Sequence, residues 1–174
     1  KKALEETNGD FDGAIKLLRE KGAAVAAKRA SKEANEGKIE AFISEDNQQA
    51  SMIEVNCETD FVTRNEDFQS FVEELKQDSI NHVCDTMAMA VSERMEEKMA
   101  QIGEKISLRR NVKWVVNGTG AIGSYIHMGG TVGVLIELSC DKNETISNQI
   151  FKDLLKDLTL HVAAANPEFL SRDD

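Results

Sequence analysis

The side chains best able to do chemistry in this sequence are three histidines, three cysteines and one glycine-rich run. His82, His127 and His161 are scattered, without HExxH or paired spacing, and no Ser or Cys beside them forms a nucleophile pattern. They supply neither a catalytic set nor a metal set, so no enzymatic activity is expected. His82 and His161 fall on or near helical apolar faces, where a packed histidine is the expected role. His127 stands beside Met128 at the tip of a glycine-rich turn, where a ring and a flexible thioether suit contact with a partner. Cys57, Cys84 and Cys140 are odd in number and lack CxxC spacing, which argues against a disulfide framework or a zinc knuckle and for a reducing compartment. Gly118-Thr-Gly-Ala-Ile-Gly123 matches the dinucleotide fingerprint GxGxxG, which works only where a helix follows to hold pyrophosphate. Tyr125, Ile126 and Gly129-Gly130 point to a strand and turn instead, so no cofactor is expected and the glycines mark a subdomain boundary. A nucleotide-dependent enzyme built on Gly118 to Gly123 is the reading that saturable dinucleotide binding would support.

Composition bounds what these residues can belong to. Apolar residues make up 41% of the 174 and charged residues 30%, a globular rather than a disordered balance. The formal charge of -10 sets a field that repels phosphate backbones, so no direct nucleic-acid binding is expected. The longest apolar runs, such as Thr131 to Cys140, fall far short of the roughly 20 residues of a bilayer-spanning helix, so no membrane association is expected either. The opening Lys1-Lys2-Ala3-Leu4, with neither starting Met nor apolar signal region, reads as internal sequence.

The elements follow from a repeat. Shifting the chain by 83 residues, the separation of Gly37 and Gly120, lays Gly37 to Ile43 over Gly120 to Ile126 and Met52-Ile-Glu-Val-Asn-Cys57 over Leu135-Ile-Glu-Leu-Ser-Cys140. Asn65, Phe68 and Leu75 meet Asn148, Phe151 and Leu158 without a gap. Each copy predicts a β-hairpin, turning at Glu45 to Gln49 and at Met128 to Gly130, followed by an amphipathic helix. A second helix from about Thr86 to Ile102 and a strand from Ile106 to Val116 extend the first copy, while Asn166-Pro167 ends the second helix of the pair without a third strand. Upstream, Asp10 is placed to cap a helix from Phe11 to about Lys21, with Gly22 as its stop, and Lys1 to Glu6 ends an earlier helix. These two resemble the last two helices of a ubiquitin-associated-type three-helix unit. Ala23 to Glu36, rich in Ala, Lys and Glu, reads as a solvated helical linker. The expected fold is therefore α+β: a partial ubiquitin-associated-like helical N-terminus (1–22), a linker (23–36) and two repeated antiparallel hairpin-plus-helix core subdomains (37–118 and 119–174).

Cys57 and Cys140 occupy equivalent strand ends and read as small buried residues. The acidic pairs Glu73-Glu74 and Glu96-Glu97 read as solvated faces. Thr59-Asp60-Phe61-Val62 is where the repeat fails, since Phe61 falls over Glu144. The shared fold does not demand an aromatic there, which leaves a local packing plug or an anchor presented to another protein.

Cys57-Glu-Thr-Asp-Phe-Val62 followed by Arg64-Asn-Glu-Asp-Phe68 resembles the signature of the elongation factor Ts family. Lys1-Lys2-Ala3-Leu4, Ile102 to Arg110, Tyr125-Ile-His127 and Gly133-Val-Leu135 are similar to further parts of that family. The resemblance implies a guanine nucleotide exchange factor acting on elongation factor Tu in translation elongation, within protein biosynthesis. It implies that Thr59, Asp60, Phe61 and Val62 wedge into the partner beside its nucleotide. It places Lys1 and Lys2 against the partner's nucleotide-binding domain and His127 and Met128 against it elsewhere. The expected location is cytoplasmic, in a bacterial cytoplasm or the matrix or stroma of an organelle. A ubiquitin-associated-like adaptor, binding a polypeptide without affecting nucleotide, is the alternative.

Overall fold

Ile53, Val55 and Cys57 alternate with Glu54 and Asn56, and this period of two makes a strand with one apolar face. In the computed structural model, which describes residues 1–82 and 84–169, that strand is β2 (Gln49–Cys57). It is the middle of an antiparallel sheet, flanked by β1 (Glu36–Ile43) and β3 (Ile106–Val115). The apolar face meets α4 (Glu66–Ser79), whose Phe68, Phe71, Val72 and Leu75 recur at helical spacing and are buried. Asn65 starts this helix by accepting the amides of Asp67 and Phe68. Met87, Val91 and Met95 complete the same core. They sit on α5 (Cys84–Ala90), on α6 (Ser92–Ile102) and at the junction between them. The single helix expected over Thr86 to Ile102 is thus two, because Val91 takes φ −102° and ψ 0°, outside the helical well, while its side chain stays buried.

The second unit is β4 (Gly120–His127), β5 (Val132–Ser139), the short α7 (Asn143–Ser147) and α8 (Gln149–Ala165). It reproduces the first at the shift of its sequence. Gly37 lies opposite Asn56 and Gly120 opposite Ser139, so the two hairpins share one register. A Cβ on either glycine would strike the carbonyl oxygen of the facing strand, at Val55 and at Leu138, which explains why both positions lack a side chain. Asn148 caps α8 as Asn65 caps α4. The chain is α+β, as the hydrophobic periods predict.

Gly22 does not act as expected. The N-terminal part is α1 (Lys2–Glu6) and α2 (Phe11–Arg29), and α2 runs straight through Gly22. Gly22 is buried against α6, where an added Cβ would lie 3.3 Å from the Glu96 carbonyl oxygen. It is a crossing-point glycine rather than a helix stop, and the alanines after it are strong enough helix formers to carry the turn onward. The helix expected after position 22 is therefore no separate element: residues 23–29, none of them buried, complete α2, and the chain then runs irregularly into β1. Asp10 precedes α2 without a side-chain cap bond.

Cys57 is fully buried, and its thiol lies 3.3 Å from the Thr59 carbonyl oxygen. Burial first, then the charge of Glu104, pushes this thiol up to about 12, so the reactive thiolate is scarce at neutral pH. Cys140 keeps the same bond, 3.4 Å to Lys142, but is only half-buried. In native protein Cys57 is expected to label far more slowly than Cys140 with a maleimide, resolved site by site by mass spectrometry. Equal rates would contradict the packing role. The histidine expectation divides: His82 is half-buried in the turn after α4, whereas His161 is exposed. Two residues beyond the buried Thr159, His161 points some 200° away around the helix.

Candidate partner-binding site

The segment after β2 begins with two gripped residues. Arg29, the last residue of α2, places one guanidinium nitrogen 3.0 Å from both oxygens of Glu58. The amide of Lys105 donates to the same carboxylate, and these bonds, the backbone one first, hold Glu58 below the usual carboxylate range. The stabilisation this brings is present at neutral pH and is lost as pH falls through that lowered range. Glu104 takes the next residue: its two oxygens accept the Thr59 amide at 3.0 Å and the Thr59 hydroxyl at 2.7 Å. Gly103, left-handed at φ 85°, ends α6 and turns Glu104 towards Thr59.

From Thr59 the chain makes α3 (Asp60–Thr63), one turn long. Val62 is the anchor, buried in the core of the first unit. With Val62 pointing inwards, its neighbour Phe61 points outwards and is 78% exposed. Asp60 pairs with Arg64 at 2.8 Å and its carbonyl accepts the Thr63 hydroxyl, so both ends of the turn are tied. The result is an aromatic ring on a short, pinned helix, supported from α2, from Glu104 just past α6 and from the core. An exposed ring in that setting adds nothing to packing and suits a protein interface.

The second unit builds the same backbone without the ring. Residue for residue at the shift of 83, α7 begins where α3 does, so the fold repeats through the stretch where the sequences part. Glu144 stands exposed at the position of Phe61. Phe61 is therefore no packing plug.

His127 and Met128 lie together at the tip of the second hairpin. Met128 is exposed with φ 48°, and His127 Nδ1 is 2.8 Å from the Tyr125 hydroxyl, with the two rings 5.7 Å apart. Lys1 and Lys2 begin the chain, both exposed, with Lys1 3.9 Å from Glu5. No hydrogen bond or ion pair among the described residues links these groups to each other or to Thr59 to Val62. Gly118 to Gly123 lead into β4 rather than a helix, which removes the geometry a pyrophosphate site needs. Among the described residues no helix is long and apolar enough to cross a membrane, and no cluster of His, Cys, Asp or Glu could hold a metal ion.

A family model described as Elongation factor TS matches residues 58–174. Elongation factor Ts of a Nitratiruptor species is 45% identical over 98% of this chain and 58% of its own length. That of Trichlorobacter lovleyi is 41% identical over all of the chain and 60% of its own, and that of Clostridium perfringens 44% over all of it and 59% of its own. The chain belongs to the elongation factor Ts family. It spans about three fifths of the length of these relatives. The elongation factor Ts match begins at Glu58, the residue Arg29 grips, just past the first hairpin, and takes in the turn with Phe61, the helices and third strand of the first unit and the whole second unit. Arg29 and Glu104 escaped the reading of the sequence as supports of this site. The spacing of Asp60 and Arg64 is a local pairing signal, but Glu104 lies 45 residues from Thr59 and no local pattern joins them.

Proposed function

We propose that the chain is the part of a guanine nucleotide exchange factor that promotes GDP release from elongation factor Tu, and that Thr59 to Val62 form its wedge. The observation carrying this is Phe61, an aromatic exposed on a braced turn at a position where the repeated fold accepts Glu144. Exchange of this kind needs no bond-making side chain. A factor that lowers the partner's affinity for GDP must bind the nucleotide-free partner more tightly by the same ratio, and contact energy alone supplies that. Lys1 and Lys2 on the N-terminal helices, and His127 with Met128 on the second hairpin tip, are proposed as further contacts. A bacterial cytoplasm, or an organelle matrix or stroma, is the compartment this reading assigns.

Release of fluorescent GDP from elongation factor Tu is the test. Acceleration by the chain, or by a version extended to the length of its relatives, supports exchange. Binding without acceleration by either form would leave the adaptor reading. Glu104 gives the wedge a second check. Glu104→Ala removes both bonds to Thr59, worth about 1 to 2 kcal/mol locally, and is expected to speed hydrogen exchange at the Thr59 amide and slow GDP release about threefold to tenfold. Unchanged protection at Thr59 would show that Glu104 does not hold the turn.

A further inference from the structure

The two hairpin units differ sharply where the first strand of each meets its helix. In the first unit Lys38 and Glu40 on β1 form a 2.8 Å ion pair with both side chains about four-fifths covered, and Lys76 on α4 lies 2.6 Å from Glu73. These long chains fill the space between strand and helix. At the shift of 83 their places fall to Ala121, Gly123, Thr159 and Lys156. With three of the four reduced to small side chains, a cleft of about 480 Å³ opens beside β4. Its floor is apolar, from Ile146, Phe151 and Leu155. One wall is the turn of the first hairpin, fixed where Ile122 donates to the Asn47 carbonyl at 2.8 Å and the Asn47 amide group donates back to Ile122 at 3.1 Å. Lys152 and Lys156, one turn apart on α8, stand exposed at the rim, and neither has an ion-pair partner among the described residues.

An apolar floor under two unpaired ammonium groups is complementary to an apolar body with acidic groups beside it. The chain as a whole carries -10, so an extended anionic membrane surface would be repelled, while a short acidic segment seated in the cleft meets Lys152 and Lys156, the charged residues of its lining. We propose that this cleft receives a segment of a partner polypeptide in which an apolar side chain is closely followed by acidic residues. The proposal does not depend on the exchange activity of Phe61.

The test uses the full chain and three fluorescein-labelled, acetylated octapeptides that differ at their centre: Leu-Phe-Glu-Glu, Leu-Phe-Gln-Gln and Leu-Phe-Lys-Lys. The Glu peptide is expected to bind about fivefold to tenfold tighter than the Gln peptide, as two exposed charge pairs allow. Its backbone-amide NMR shifts should centre on Ser124, Ile146 and the Phe151 to Thr159 turns. Lys152→Glu with Lys156→Glu should invert the order in favour of the Lys peptide, which a mere loss of folding could not do. Ser124→Trp, an exposed change at the mouth, should weaken all binding while leaving the thermal midpoint in place. Equal binding of the Glu and Gln peptides, shifts centred elsewhere, or no binding at millimolar peptide would overturn the proposal. So would tighter binding of dodecanoate than of the Glu peptide, which would assign the cleft to a free amphiphile.

Discussion

Phe61→Ala is expected to slow GDP release from elongation factor Tu by about 30-fold to 1,000-fold, the equivalent of about 2 to 4 kcal/mol at a central interface aromatic. The same change should alter the free energy of unfolding by only about 0.5 kcal/mol, because the ring is 78% exposed in the free chain. The turn that carries it does not rely on the ring. Val62 is buried in the core, Thr59 is held by Glu104, and Asp60 is tied to Arg64 and Thr63. Removing the phenyl ring leaves all of these bonds in place, so the loss should appear in the complex alone. Release kinetics and urea unfolding separate the two effects, measured on the chain and on a version extended to its relatives' length. A variant that unfolds much more easily yet releases GDP at the normal rate would make Phe61 a structural residue and sink the proposed wedge.

The hairpins and their covering helices were legible because the repeat doubled every signal. Gly37 and Gly120, Asn65 and Asn148, and Phe68 and Phe151 each announced one structural role twice, and the shared register follows from that. The exposure of Phe61 was legible for the opposite reason: one copy had the aromatic and the other did not. Single-copy features were harder. Gly22 looks like a helix stop when only its neighbours in sequence are weighed, and its contact with Glu96 of a later helix reverses that reading. The break at Val91 left no sign either, since Met87, Val91 and Met95 keep an unbroken helical spacing. The supports of the wedge were hidden because Arg29 and Glu104 reach it across 29 and 45 residues. Cys140 shows the limit of the repeat itself: it keeps the bond of Cys57 without the burial, because the second core is thinner.

That thinness sets the second large effect. Phe68 and Phe151 are equivalent in sequence and both face the sheet, but their surroundings differ. Phe68 is 0% exposed within a cluster completed by α5 and α6, whereas Phe151 is 7% exposed and forms the floor of an open cleft. One turn on, Phe71 is 2% exposed while its counterpart Leu154 is 47% exposed. Cutting a buried Phe to Ala loses the transfer energy of the ring and adds the cost of the cavity left behind. At Phe68 both apply, so Phe68→Ala should lower stability by about 4 kcal/mol. At Phe151 water can enter from the cleft, the cavity cost falls away, and Phe151→Ala should lose only about 2 kcal/mol, near the transfer energy alone. Urea unfolding of both variants, followed by circular dichroism and by the fluorescence of Trp114 on β3, measures the difference and shows whether the two units melt together. Equal losses would mean that the second core is as well sealed as the first. A larger loss at Phe151 would mean that the cleft closes in solution, and with it the docking site proposed there would lose its footing.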